Sequence, residues 1–344
     1  RGLGMLKIKT SNLKPGIKLG KDIYSYDSQL LLTNGSTITQ EHLDSFARRN
    51  IEEVFILDES QRIKPEHQFE DVYQDALEVV NSFMVGAMLG SALDFQEINK
   101  TVDLLREQAF DAIDLFRQMR LMKDKGDYLF THSINVSLLC ILMGRWLKCE
   151  QNTIRELGVA GLLHDVGKVF IENDILNKPG KLTEQEYEEI KKHTVLGYNF
   201  ISQNISMNRE VANAALMHHE RVDGSGYPSG LKGQLNFYAA VVAVADVYDA
   251  ITSAHSYANK RSPYSAAEIL WQDSFGKLDA RITKVFYDKI TNFYVGNKVL
   301  LSNKKEGLVI YVDPSQPTRP IVMVEDEFYN LAIDRSITIL DIID

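Results

Sequence analysis

The chain has 344 residues, of which 44% are hydrophobic and 25% are charged, and its formal net charge is -9 at pH 7. A chain of this length exceeds one ordinary compact domain, so we expect one principal hydrophobic core with smaller attached units. The negative charge argues against a surface for duplex nucleic acid or anionic lipid, and an anionic ligand must therefore be held by a local group of residues.

The cysteines and the most apolar stretches exclude two further classes of protein. Cys140 and Cys149 lie nine residues apart in one apolar stretch, which disfavours a disulfide and a secreted scaffold and favours a reducing, cytoplasmic location. The most apolar stretches, 79–93 and 134–147, each contain Asn or Ser and fall short of the roughly twenty residues that a membrane-spanning helix needs. We expect buried or interface helices there and no membrane insertion.

In chain order, residues 5–60 alternate short β-like runs with turns that contain Pro-Gly and Asn-Gly, and they include one helical segment at 41–49. This pattern predicts a small α+β module, which we interpret as a candidate sensor or partner-binding unit. In residues 68–123 apolar side chains recur near helical spacing, which predicts long helices and a candidate homodimer contact.

The helical pattern continues to residue 295, interrupted by one Gly-rich segment at 223–233. The helical region therefore spans 68–295, with its core at 125–295. Residues 296–344 change to short β-type runs separated by prolines, which predicts a small β appendage. The predicted strands are 298–301, 308–312, 321–324 and 337–342. The predicted fold is predominantly α, a multi-helix bundle between a small N-terminal α+β module and a small C-terminal β appendage.

Five of the eight histidines lie between residues 132 and 219, and they occur with aspartates in apolar helical surroundings. His164 and Asp165 end one apolar helical run, and His218 and His219 end another. Asp246 lies inside a very apolar stretch. A buried carboxylate without a partner is costly, so it is normally neutralised by a cation or a specific hydrogen bond. Adjacent helical residues point about 100° apart, so His218 and His219 can reach one metal only near a helix end.

Imidazole and carboxylate ligands without thiolate suit Mn, Fe, Ni, Co or Zn and disfavour an all-oxygen Ca site. Two such metals roughly 3.5–4 Å apart can generate a hydroxide near neutral pH and bind both oxygens of an in-line phosphoryl displacement. Asp165 is the predicted bridge between the metals. For any one of these histidines alone, a hydrogen-bonded or surface role is the commoner interpretation, so the metal site is predicted from the whole group.

Five motifs carry a resemblance to a known family. They are His132-Ser-Ile-Asn-Val136, His164-Asp-Val-Gly-Lys168, His193-Thr-Val-Leu-Gly197, His218-His-Glu-Arg-Val-Asp-Gly-Ser-Gly-Tyr-Pro228 and Ala245-Asp-Val-Tyr-Asp-Ala250. Together they resemble the HD-GYP subgroup of the HD phosphohydrolase superfamily, which hydrolyses the bacterial second messenger cyclic di-GMP. The long tract that ends in Gly-Tyr-Pro is highly specific, whereas an isolated His-Asp pair is a weak signal. The resemblance covers about half of the chain and implies an HD-type helical bundle.

The resemblance also implies roles for individual residues. The first metal would bind His132, His164, Asp165 and Asp246, and the second would share Asp165 and bind His193, His218 and His219. Lys168 would face the substrate phosphate and act with Asp165 as a catalytic residue; the alternative is a solvated lysine that complements a helix dipole. Asp223, Gly224 and Tyr227 are expected in a loop that contacts the substrate, where Tyr227 can equally be a packing residue.

Two positions depart from the family's pattern. Tyr128 stands where some members have a glutamate for a third metal, so two metals are predicted. The basic run that contacts the ligand phosphate follows an apparent insertion here, and Ser265 occupies the place of its second basic residue. Lys260 and Arg261 are the candidate substitutes in substrate binding.

The predicted reaction is the hydrolysis of cyclic di-GMP to linear pGpG, and a second cut would give GMP. A hydroxide generated at the metal pair attacks one phosphorus in line, and the opposite ribose oxygen leaves with a proton from water. Iron or manganese is the favoured metal, with nickel, cobalt and zinc as alternatives. Two other interpretations stay open: a cyclic di-GMP receptor with little turnover, and a hydrolase of another cyclic dinucleotide such as cyclic GMP-AMP or of a smaller phosphoester.

Overall fold

The structure is a computed structural model of the chain. It describes residues 5–10, 13–24, 30–33, 35–49, 51–57, 68–91, 94–109, 112–122, 128–203, 207–253, 263–273, 275–292, 296–313, 315–325 and 327–343. Within these ranges, no helix combines the length and the apolar character that crossing a membrane requires.

The N-terminal unit contains two small antiparallel sheets and one helix. β1 (Met5–Lys9) pairs with β4 (Glu53–Leu57), and β2 (Ile23–Tyr24) pairs with β3 (Leu30–Leu32). α1 (Gln40–Arg48) begins after Thr39, whose hydroxyl accepts a hydrogen bond from the backbone N–H of His42. A hydrophobic core of their own holds these elements together: Leu13, Leu19, Ile23, Ile38, Phe46, Val54 and Ile56.

The next region is helical, as the hydrophobic periodicity predicts. Its helices are α2 (Phe69–Met88), α3 (Phe95–Gln108), α4 (Ala112–Met122), α5 (Tyr128–Trp146), α6 (Gln151–Leu163), α7 (Asn173–Leu176), α8 (Glu184–Lys191), α9 (His193–Ser202), α10 (Arg209–Met217), α11 (Phe237–Ser253), α12 (Pro263–Asp273) and α13 (Ala280–Asn292). A short 3-10 helix, Val166–Phe170, follows α6.

α5 is the central helix of this region, and all of its residues from 131 to 144 are buried. It packs against α6, α11 and α2. Leu138, Leu139 and Ile141 are fully buried, and removing such side chains from water is the main force that places the helix. His132 and Asn135 are buried on the same helix, and buried polar side chains need hydrogen-bond partners. The surrounding helices supply them.

The C-terminal unit is a five-stranded antiparallel sheet with the strand order β8-β7-β6-β5-β9. Its strands are β5 (Lys298–Leu301), β6 (Glu306–Tyr311), β7 (Ile321–Val324), β8 (Glu327–Asn330) and β9 (Ile339–Ile343). The sequence pattern predicts four of these strands and misses β8. Val299, Val309 and Val322 point to one face and belong to the same continuous core as the helices. The predicted fold class, predominantly α with small flanking units, is confirmed.

Candidate metal centre

The seven predicted metal ligands come from separate segments of the chain and lie close together, with the buried carboxylate of Asp165 among them. They are His132 in α5, His164 and Asp165 after α6, His193 at the start of α9, His218 and His219 after α10, and Asp246 in α11. α6 ends at Leu163 and α10 ends at Met217. The His-Asp and His-His pairs therefore lie at helix ends, where two adjacent side chains can approach one point.

One group of ligands surrounds the Oδ2 atom of Asp165. Nε2 of His164 lies 3.3 Å from this oxygen, and Nε2 of His132 lies 3.8 Å from it. Oδ1 of Asp246 lies 3.1 Å from the same nitrogen of His132. The donor atoms of His132, His164 and Asp165 all lie within 4.8 Å of one another, which allows them to share one metal ion.

The other oxygen of Asp165 faces a second group. Oδ1 lies 3.3 Å from Nε2 of His193 and 3.8 Å from Nε2 of His218. His219 completes this group, in which the donor atoms again lie within 4.8 Å of one another. Each oxygen of Asp165 thus faces its own set of imidazoles, which is the arrangement that a carboxylate between two cations needs.

Three of the imidazole rings are held so that Nε2 points into the centre. Nδ1 of His164, His193 and His218 lies 2.8, 2.7 and 2.9 Å from the backbone carbonyl oxygens of Gly161, Ile190 and Ala215, respectively. Because a carbonyl oxygen can only accept, these hydrogen bonds place the proton on Nδ1. Each Nε2 then presents a lone pair toward Asp165, as the nitrogen of a metal-binding histidine does.

This geometry is unfavourable for the protein atoms alone. Nε2 of His193 and Nε2 of His218 lie 3.4 Å apart, although both present lone pairs. Within the described part of the chain, His164 Nε2 and Asp165 Oδ1 are buried without a hydrogen-bond partner. Each unsatisfied buried polar atom costs about 1–3 kcal/mol. Cations between the imidazoles and the carboxylate would remove both defects, so the donor set fits divalent metals that accept nitrogen and oxygen ligands.

Burial and hydrogen bonding give the two groups different protonation. Burial lowers the pKa of His193, holds the pKa of His218 well below its ordinary value and lowers the pKa of His219 to about 3. Burial also acts to lower the pKa of His132, but the hydrogen bonds with Asp246 and Asp249 outweigh it and raise that pKa to about 10. Without a metal, His132 therefore carries a second proton at neutral pH, and the second group does not.

Lys168 pairs with the central carboxylate, since its Nζ lies 2.5 Å from Asp165 Oδ2. Burial would raise the pKa of Asp165, but nearby positive charge, above all that of Lys168, outweighs burial and holds the pKa well below its ordinary value. Burial would likewise lower the pKa of Lys168, and Asp165 more than offsets this and raises it. Lys168 is therefore part of the centre and not a lysine directed into solvent.

Asp249, Asn135 and Tyr73 hold His132 from the side opposite the centre. Asp249 Oδ2 accepts a hydrogen bond from His132 Nδ1 at 2.8 Å, and its Oδ1 accepts one from Asn135 Nδ2 at 3.1 Å. The hydroxyl of Tyr73 in α2 donates to Asn135 Oδ1 at 3.0 Å. Such a carboxylate fixes the orientation of a metal-binding imidazole and makes it more basic. The sequence analysis missed these residues, although Asp249 lies three positions after Asp246 and shares its helix face.

The family model of the HD domain matches residues 90–282, more than half of the chain. The chain belongs to the HD domain family. Cyclic di-GMP phosphodiesterase PA4108 of Pseudomonas aeruginosa is 33% identical over 237 residues, which cover 67% of this chain and 56% of that protein. The 3′3′-cGAMP-specific phosphodiesterase 1 of Vibrio cholerae is 34% identical over 172 residues, which cover 49% of this chain and 40% of that protein. The chain thus spans about half the length of the curated relatives it matches.

A solved structure supports the fold of this HD domain protein. Bd1817, an HDG"Y"P protein from Bdellovibrio bacteriovorus, has a TM-score of 0.52 and 17% sequence identity, covering 83% of this chain and 99% of that chain. At this identity the likeness concerns the fold alone. The family model confirms the HD domain family that the sequence motifs predict.

In this HD domain, a buried carboxylate anchors the Gly-rich segment beside the candidate metal centre. Glu220 is fully buried and accepts hydrogen bonds from the backbone N–H groups of Ser229 at 2.7 Å and Leu231 at 3.0 Å. Gly226 lies so close to the preceding chain that a Cβ would stand 2.4 Å from the carbonyl oxygen of His219. The segment is thereby folded back onto the end of α10. Sequence reasoning missed Glu220, because its role depends on this path.

The predicted substrate residues of the Gly-rich segment differ in their surroundings. The ring of Tyr227 stacks on the ring of His219, with centroids 4.6 Å apart and planes at 30°. Asp223 is turned toward its own loop, where Oδ1 accepts hydrogen bonds from the backbone and the hydroxyl of Ser225. Gly224 has φ +81°, a conformation that favours glycine. Asp223 and Gly224 therefore shape the loop, and Tyr227 lies nearest the centre.

Two further predictions concern the rim of the site. Lys260 and Arg261 lie outside the described residues, so their contact with a substrate stays a prediction. Tyr128 stacks on the ring of His132, with centroids 5.6 Å apart and planes at 23°. Where some family members have a glutamate for a third metal, this chain thus has the ring of Tyr128 against the predicted ligand His132.

Proposed function

We propose that this chain is a dinuclear metal-dependent phosphodiesterase that hydrolyses cyclic di-GMP to linear pGpG; a second cut would give GMP. The observation that supports this most is the position of Asp165, whose two oxygens face two separate imidazole groups. The similarity to a protein named as a cyclic di-GMP phosphodiesterase supports the choice of substrate.

The proposed metal ligands fall into two sets that share one residue. The first metal binds His132, His164, Asp165 and Asp246, and the second binds Asp165, His193, His218 and His219. Two bound cations would activate a water near neutral pH and neutralise charge on the phosphoryl oxygens. Iron or manganese is the proposed metal, and nickel, cobalt and zinc also suit a set of nitrogen and oxygen ligands.

The side chains around the metals have distinct tasks in this reaction. Asp165 would hold both cations, and Asp249 would keep His132 in the orientation that the first metal needs. The ammonium of Lys168 adds a positive charge beside the phosphate and offsets the negative charge that develops during displacement. Tyr227 borders the substrate on the side of the Gly-rich segment. The departing ribose oxygen takes its proton from water.

Metal analysis and turnover on the same sample test this proposal. The protein is purified without oxygen, its metals are quantified by elemental analysis, and cyclic di-GMP is supplied in excess with Mn or Fe. We expect two metal ions per chain and conversion of the substrate to pGpG. Cyclic di-GMP that stays bound and intact over hours at full metal occupancy would instead identify a receptor.

A second candidate substrate is 3′3′-cyclic GMP-AMP, because a relative that is 34% identical is named as specific for it. Rates for cyclic di-GMP, cyclic GMP-AMP and a nucleoside monophosphate, measured side by side, distinguish these possibilities. A site that hydrogen-bonds one base edge gives a large rate ratio between substrates. A faster rate for cyclic GMP-AMP would replace the proposed substrate and leave the metal chemistry unchanged.

We further propose a homodimer through the helices of residues 68–123. Val85, Met88 and Leu89 at the end of α2 are apolar and exposed, which is typical of a contact surface. Light scattering on the full chain should give twice the mass of one chain. A single-chain mass at micromolar concentration would contradict the dimer.

The proposed units are the module at 5–60, the helical region at 68–295 and the appendage at 296–344. The separate hydrophobic core of the first unit supports its boundary. We place the protein in the bacterial cytoplasm, because both Cys140 and Cys149 are free and the proposed substrate is a bacterial second messenger. Limited proteolysis should leave 128–203 uncut at first, and initial cleavage within this range would contradict the division.

A further inference from the structure

Three aromatic rings run from the metal centre to the protein surface. The innermost is His219, a predicted metal ligand, and Tyr227 stacks on it at 4.6 Å between ring centroids. Tyr187 of α8 meets Tyr227 edge to face, with centroids 6.4 Å apart and planes at 76°. Tyr187 is 47% exposed. An exposed aromatic side chain thus stands two ring contacts away from the centre.

Tyr187 is exposed because the helix that contains it, α8, lies on the protein surface. None of the residues of this helix, all of which the structure describes, is buried. The helix is nevertheless fixed at its start, where Thr183 and Glu186 form a capping box and Lys178 pairs with Glu186 at 2.7 Å. Tyr187 is therefore carried by an anchored helix that lies on the surface beside the site.

Lys191 fixes the orientation of the Tyr187 ring. Its Nζ lies 4.7 Å from the ring centroid of Tyr187 and 5.6 Å from that of Tyr227, and it pairs with Glu188 at 2.5 Å. A cation over an aromatic face is attracted to it, so one face of Tyr187 is held by Lys191. The side chain thus has a defined orientation, and the residue as a whole is still 47% exposed.

We propose that the exposed ring of Tyr187 stacks on a purine base of the substrate while the phosphate of that nucleotide faces Lys168. This rests on the proposed function, because it requires a nucleotide whose phosphate is at the metal centre. A base is joined to its phosphate through one ribose, so it lies beside the centre and not in it. Exposed aromatic rings stack on bases of any sequence, and each such contact stabilises binding by roughly 5- to 150-fold in affinity.

Kinetics of substitutions at Tyr187 test the stacking. Tyr187→Ala should raise KM for cyclic di-GMP by roughly 5- to 150-fold and leave kcat about unchanged, because stacking stabilises the bound substrate and the transition state alike. Tyr187→Phe keeps the ring and should behave like the unchanged protein. The matched control is Tyr311→Ala, which removes a tyrosine of 40% exposure from the C-terminal sheet and should change neither constant.

A binding measurement separates this inference from the proposed function. A cyclic dinucleotide that contains 2-aminopurine loses fluorescence when its base stacks, and this readout needs no turnover. We expect quenching with the unchanged protein and with Tyr187→Phe, and much weaker quenching with Tyr187→Ala. Equal quenching or equal KM in Tyr187→Ala would overturn the stacking role and leave the phosphodiesterase proposal standing. Quenching without hydrolysis by the metal-loaded protein would support stacking and contradict the proposed reaction, and absence of both would overturn both.

Discussion

A substitution at Asp249 can weaken the binding of one proposed metal ion while all the proposed metal ligands stay unchanged. Its carboxylate accepts hydrogen bonds from His132 at 2.8 Å and from Asn135 at 3.1 Å. Asp249→Asn keeps the size of the side chain but removes its charge, and its NH2 group must face one of these two donors. Loss of such a supporting carboxylate typically weakens metal binding by 10- to 100-fold, which corresponds to about 1.4–2.7 kcal/mol.

The weakening should be confined to the first metal. His132 belongs to the proposed ligands of that ion, whereas His193 and His218 are held by backbone carbonyl oxygens. A metal titration that resolves two binding steps should show one step shifted by roughly 10- to 100-fold and the other unchanged. Asp288→Asn is the control, because the pair of Asp288 with Lys284 lies on the surface of α13 and contributes little. An equal shift in both steps, or in neither, would refute the role of Asp249.

Three more predictions follow from the same geometry. Asp165→Ala should abolish turnover and the binding of both metals in elemental analysis, and retention of either metal would end the bridging assignment. Gly226→Ala should lower Tm by the equivalent of about 1–3 kcal/mol, because its Cβ would meet the carbonyl oxygen of His219 at 2.4 Å; an unchanged melting curve would contradict this. Because the pKa of His132 is raised to about 10, the first metal must displace a proton, so its apparent affinity should rise about tenfold per pH unit between pH 7 and 9. Calorimetry in buffers of different ionisation enthalpy should detect about one proton released at pH 7, and release of none would show that His132 is already neutral.

The sequence predicts that helices end at the site, because two adjacent residues can bind one metal only near a helix end. His218 and His219 are adjacent, and two adjacent residues inside a regular helix point in different directions. Their joint assignment to one metal therefore predicted that a helix ends there, and α10 ends at Met217. The end of the apolar run at His164 predicts a helix end there as well, and α6 ends at Leu163. Apolar periodicity and ligand chemistry gave consistent answers at these positions.

The residues that sequence reasoning missed act through contacts between distant segments. Glu220 binds backbone groups nine and eleven positions later, and this depends on the path of a loop that periodicity does not describe. Strand β8 was missed because it lies at the edge of the sheet with Phe328 exposed, so it lacks the inward apolar residues that mark a buried strand. Asn135 looked like an ordinary polar residue in α5 until α2 and α11 supplied its partners.

The hydroxyl of Tyr73 has a practical consequence for isolating the activity. Tyr73 lies in α2, and its side chain is fully buried against Asn135, which in turn holds Asp249. A truncated protein that starts at residue 125 would lose this tyrosine and expose the apolar face of α5 that α2 covers. The smallest fragment that keeps the proposed activity should therefore start no later than residue 68, several helices ahead of His132.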